Sequence, residues 1–163
     1  MKKFLTLEKL NEGTTVAIYS PKFDGEKQNE FEKFLCAYST PQYKNDLAII
    51  LARIQKIEED GAHDRHFRYE SKMCEKIRAI PPNIETSKLR LYCICINESV
   101  IILGGGGRKR TRTYQEDPIL NGQVETLKKI HRQLLTQMQD GTSEITDEPA
   151  IDGKIRFYIN ENQ

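Results

Sequence analysis

The chain has 163 residues, enough for one domain with a true core, yet only 37% are hydrophobic and the mean hydropathy is −0.64. No apolar run reaches membrane length and no signal peptide is expected, which sets aside the membrane and secreted classes. The net charge of +1 predicts no partner, but residues 63–112 carry 11 cations against 5 anions and residues 113–163 carry 5 against 9, so a basic middle precedes an acidic tail.

In chain order, TTVAIYS (14–20) is apolar and β-branched, and predicts a strand ended by Pro21. Phe31, Phe34, Leu35 and Tyr38 fall at helical spacing within 25–39. A second helix is expected over 41–61, opened by Pro41, closed by Gly61 and buried along Leu47, Ile50, Leu51, Ile54 and Ile57. The short gap between the two implies a helical hairpin. Near residue 70 the period changes. KMCEKIRAIPP (72–82) alternates, and KLRLYCICINESVIILGG (88–105) reads as two strands turning at Asn97-Glu98-Ser99. Residues 108–115 are expected to continue as a short strand or an extended loop. Asp117 then caps a helix over 117–141, with Pro118 in its first turn and Val124, Leu127, Ile130, Leu134 and Met138 on its apolar face. Residues 139–152 read as an acidic linker and KIRFYIN (154–160) as a last strand. This order predicts an α+β fold: a twisted antiparallel sheet packed against an N-terminal helical hairpin, with a C-terminal helix and an extra terminal strand. Residues 1–138 form the expected domain, and 139–163 join it as linker and strand.

The four cysteines, Cys36, Cys74, Cys93 and Cys95, form no C-x-x-C pair and read as reduced thiols of a cytoplasmic protein. No four-ligand spacing recruits His63 or His66 for zinc, so no metal is expected. His131 sits among apolar helix positions and reads as a core-edge residue, and Tyr69 and His66 receive no role.

VIILGGGGRKRTRTY (100–114) draws most attention. A phosphate-binding P-loop needs Gly-Lys-Ser/Thr, but Arg108 follows Gly107; a dinucleotide loop needs glycine where Lys109 stands, and a helix directly after. If 108–115 is extended, Arg108, Arg110, Arg112 and Tyr114 project to one side, with Lys109 and Thr111 on the other. Three guanidinium forks and a phenol suit RNA phosphates and unpaired bases, and the glycines before them would admit a nucleic-acid backbone. The same residues would also make a flexible glycine turn with a charged edge strand.

CEKIRAI (74–80), LRLYCICI (89–96) and SVIILGGGGRKRTRT (99–113), followed by a helix, resemble the core of the RelE/HigB/ParE toxin superfamily over roughly residues 14–135. The matching positions are Glu75 and Arg78, Arg90 and Tyr92, Val100 to Leu103, and Lys109, Thr111 and Thr113. The resemblance implies metal-independent endoribonuclease cleavage of messenger RNA, usually on the ribosome, by attack of a ribose 2′-hydroxyl on the adjacent phosphate. It implies no cofactor and an antitoxin partner, a role the acidic tail would share in cis. Arg78, Arg90, Arg110 and Arg112 would stabilise charge, and Tyr114 or Lys109 would serve as acid or base. The alternatives are a noncatalytic member of the same fold directed at nucleic acid or gyrase, and a defence or mobile-element interaction protein.

Overall fold

A computed structural model describes residues 2–68, 76–83 and 87–160. Its elements are β1 (Lys2–Lys9), β2 (Ala17–Phe23), α1 (Glu30–Ala37), α2 (Lys44–Asp60), β3 (Ile77–Ile80), β4 (Leu89–Asn97) and β5 (Val100–Arg108), then α3 (Pro118–Gln139), β6 (Ser143–Thr146), β7 (Ala150–Gly153) and β8 (Arg156–Asn160). Six strands form one sheet in the order β3-β4-β5-β2-β1-β8, while β6 and β7 make a separate hairpin. The expected meander is there: β3, β4 and β5 pair antiparallel, and β4 turns into β5 through Glu98 and Ser99. Among the described residues only β2 and β5 pair in parallel, because α1, α2, β3 and β4 supply the long crossover that parallel neighbours need.

The middle of the sheet is covered on both faces. On one, Tyr92, Ile94, Val100 and Ile102 meet Val124, Leu127, Ile130 and Leu134 of α3. On the other, Leu89, Leu91, Cys93, Ile101 and Leu103 meet Phe34 of α1 and Ile50 and Ile57 of α2. Strand β4 is therefore buried without a break from Leu89 to Ile94, which explains its continuous apolar run. Local chemistry sets the helix ends. Asn29 and Glu32 cap α1 reciprocally, Asp117 caps α3 ahead of Pro118, and Gly61 ends α2 at a φ of 105°. Leu51, expected in the buried stripe of α2, is 41% exposed.

Strand β1 adds to the expected elements; Leu5 and Leu7 alternate into the core between exposed Phe4 and half-buried Thr6 and Glu8. Pro21 does not end β2: it lies opposite Leu7, beyond the parallel pairing that stops at Tyr19, so no ladder bond is lost on that side. The four glycines are not a turn, because they lie inside β5. Gly104 and Gly105 form a bulge opposite Tyr92, and a Cβ on either would strike Leu127 or Gln123 of α3. The glycines thus let α3 lie close to the sheet. Residues 139–152 are no linker either, since β6 and β7 fold back and bury Ile151. The terminal strand does form, and β8 pairs with β1.

Candidate nucleic-acid interface

Arg108 is the last residue of β5, opposite Leu89. Its guanidinium reaches within 3.5 Å of the Tyr43 hydroxyl, in the turn between α1 and α2. The Tyr43 ring stands edge-on to Tyr38 at 5.1 Å, and Tyr38 lies 5.2 Å from Phe34. Beyond Arg108 the Lys109 N–H donates to the Lys88 carbonyl, and the strand then stops. The Thr111 hydroxyl donates to the Thr113 carbonyl at 2.6 Å, which folds the loop, and a 3-10 turn at Tyr114–Glu116 leads to the Asp117 cap.

The alternating strip expected over 108–115 is therefore not formed. Tyr114 leaves the surface altogether. Its ring is 1% exposed and packs at 6.2 Å against Tyr92 in the α3-side core. Beside it, Lys128 is half-buried 3.1 Å from Glu125. Burial opposes the lysine's charge, but Glu125 and Tyr114 outweigh it and raise its pKa. Arg78 and Arg90 do not converge with the loop cations either. Arg78 is 8% exposed and donates to the Ile77 carbonyl. Arg90 is 3% exposed and donates to the carbonyls of Ser87 and Leu89 at 2.7 Å. Strand alternation aligns Arg78 with Ile80 on the α1/α2 face and Arg90 with Tyr92 on the α3 face. They hold backbone on opposite sides of the sheet. Glu75, Tyr69 and Cys74 lie outside the described residues.

At the surface, Arg110 and Arg112 are exposed, and no ion pair or hydrogen bond engages either side chain among the described residues. A cleft of about 90 Å³ opens here, lined by Tyr38, Gly107, Arg108, Arg110, Asp117 and the first turn of α3. The cleft is small, with room for a few water-sized groups. Two guanidiniums supply charge and donors, Tyr38 supplies an aromatic edge with Tyr43 behind it against Arg108, and Asp117 supplies a carboxylate. Gly107 keeps the floor open, because a Cβ there would come within 3.2 Å of the Tyr38 hydroxyl and Leu120. Tyr38 and Tyr43 replace Tyr114 as the aromatic partners of the arginines. Nothing local marked them: Tyr38 fits a helix stripe, and Tyr43 stands 65 residues from Arg108.

The histidines lie elsewhere. His66 is buried between Arg53, 3.2 Å from Nδ1, and Asp60, 3.5 Å from Nε2. Burial, then Arg53 and Arg65, depress its pKa. His131 is 6% exposed, and burial, Lys76 and Arg132 depress its pKa in turn, which makes it the core-edge residue expected. Cys93 is a buried free thiol whose pKa burial raises, and Cys36 and Cys95 are also free. Among the described residues, no three His, Cys, Asp or Glu side chains gather to hold a metal. No helix among them is long and apolar enough to cross a membrane. Comparison with protein-family models, with characterised proteins and with solved structures finds no match.

Proposed function

We propose that this chain is a toxin-like RNA-binding protein that cleaves messenger RNA without a metal, in association with the ribosome and in the cytoplasm, under the control of an antitoxin chain. The observation that carries RNA binding is the cleft. Arg108 and Arg110 line it beside Tyr38, and Arg110 and Arg112 have no ion-pair partner among the described residues. Unneutralised guanidiniums beside aromatic rings suit a phosphate and an unpaired base. The toxin-like part is supported by element order within residues 14–135, where β2, two helices on one face, a three-stranded antiparallel meander and then a helix follow one another, as the RelE/HigB/ParE resemblance implies.

A second reading is noncatalytic binding of nucleic acid or protein by the same fold. The burial of Arg78, Arg90 and Tyr114 favours it, because three residues expected to act on phosphate are buried and none of them lines the cleft. The test measures single-stranded RNA affinity across a salt series, beside cleavage with ribosomes present. Arg110→Ala and Arg112→Ala should each weaken binding and lower the salt slope by about 0.7 per lost phosphate contact. Induced expression should arrest growth with loss of messenger RNA. Arrest with intact RNA and an activated DNA-repair response would favour a gyrase target, and wild-type affinity in both variants would end the RNA reading.

A further inference from the structure

Metal-independent cleavage of RNA needs a group to remove the 2′-hydroxyl proton, and the residues first expected near this step are poorly placed. Tyr114 is sealed in the core, and Lys109 does not line the cleft. The cleft itself contains one carboxylate, Asp117. Its Oδ1 accepts from the N–H groups of Ile119 at 2.9 Å and Leu120 at 3.2 Å, which fixes the side chain at the start of α3. Its Oδ2 makes no hydrogen bond or ion pair among the described residues. Arg108 and Arg110 line the same cleft, yet neither closes on Asp117 as an ion pair. Opposite charges that share one small cleft without pairing leave a gap for a group that satisfies both.

We infer that Asp117 is a catalytic residue of this cleft, the general base that accepts the 2′-hydroxyl proton of a bound ribonucleotide. The inference rests on the RNA reading given above. The phosphate sits against Arg108 and Arg110, and the 2′-hydroxyl of the preceding ribose faces Asp117 Oδ2. As Oδ2 takes the proton, the 2′-oxygen bonds to phosphorus and the bond from phosphorus to the 5′-oxygen breaks with its electron pair. The 5′-oxygen takes a proton from water, and Asp117 returns its proton to solvent. The products are a 2′,3′-cyclic phosphate and a 5′-hydroxyl, with no change of oxidation state. The two arginines carry the extra negative charge of the phosphorane.

Asn and Ser cap helices about as well as Asp, so Asp117→Asn and Asp117→Ser keep the cap and remove the base. The experiment uses the full chain, ribosomes and a defined single-stranded RNA in the presence of a chelator. It reads affinity, cleavage rate against pH, product ends and thermal midpoint. Wild type should yield cyclic phosphate ends and spare an RNA with a 2′-deoxy sugar at the cut. Asp117→Asn should unfold at the wild-type temperature, bind RNA at least as tightly, cut about 10²-fold or more slowly and lose the acidic limb of the pH profile. Should Asp117→Asn fold poorly, Asp117→Ser carries the same expectation. Cleavage within about twofold of wild type in either folded variant overturns the inference, as does wild type that binds RNA without cutting it. Wild type that does not bind RNA overturns the RNA reading as well.

Discussion

The Nδ1 of His66 lies 3.2 Å from an Arg53 guanidinium nitrogen, which can only donate, so Nδ1 accepts and the proton sits on Nε2 toward Asp60. A second proton would set donor against donor in a buried site. His66 and His131 both have depressed folded pKa values, so the unfolded chain binds their protons more readily. Their contribution to stability is fully present above the ordinary histidine value of 6.5 and is lost as pH falls through the folded values. The free energy of urea unfolding should therefore fall as the pH drops below about 6.5, by at most about 1.4 kcal/mol per pH unit for each histidine. The fall should shrink in His66→Gln; a wild-type profile there would show that His66 does not contribute to it. Glycines give an opposite pair of expectations. A Cβ on Gly106 would overlap the Arg90 carbonyl oxygen, and that backbone cannot move without shifting β4. Gly106→Ala should cost about 3 kcal/mol. A Cβ on Gly122, exposed in α3, meets nothing, so Gly122→Ala should stabilise by about 1 kcal/mol. Chemical denaturation of the two variants measures both.

Helix ends are where elements meet the site. The first turn of α1 is held by Asn29, which is fully buried, accepts from the Glu32 N–H at 2.8 Å and donates to Glu8 of β1 at 2.7 Å. Asn29→Ala removes both the cap and this tie to the sheet, and should cost about 1–2 kcal/mol in denaturant unfolding. Tyr38 follows the last turn of the same helix, so its place in the cleft depends on where α1 stops. Tyr43 takes its position from the short 3-10 turn ahead of α2. If a base stacks there, Tyr43→Ala should weaken single-stranded RNA binding by about 1–3 kcal/mol, whereas Tyr114→Phe should leave it unchanged. Equal losses in these two variants would place the RNA on the α3 side instead.

At the scale of the whole molecule, the acidic C-terminal segment is part of the core rather than a mobile cover for the arginines. Ile151 donates its N–H to the Tyr19 hydroxyl, Phe157 and Ile159 join the α3-side core, and the Tyr158 N–H donates to Gln133. Deleting 140–163 should abolish cooperative thermal unfolding rather than release RNA binding, since loss of one buried Phe alone costs about 3–5 kcal/mol. A truncated chain that folds and binds RNA more tightly would restore the autoinhibitory role expected from charge. The α+β class, the two N-terminal helices, the β4–β5 hairpin and the Asp117–Pro118 start of α3 were legible in the sequence, because hydrophobic period, turn residues and caps act over a few neighbouring residues. Arg110 and Arg112 were legible as exposed cations for the same reason. Only the tertiary structure decided that the glycines bring α3 onto β5, that Tyr114 turns inward and Tyr38 and Tyr43 outward to the arginines, and that Arg78 and Arg90 serve opposite faces. Each of these depends on which surface packs over a residue, and that surface comes from chain many positions away.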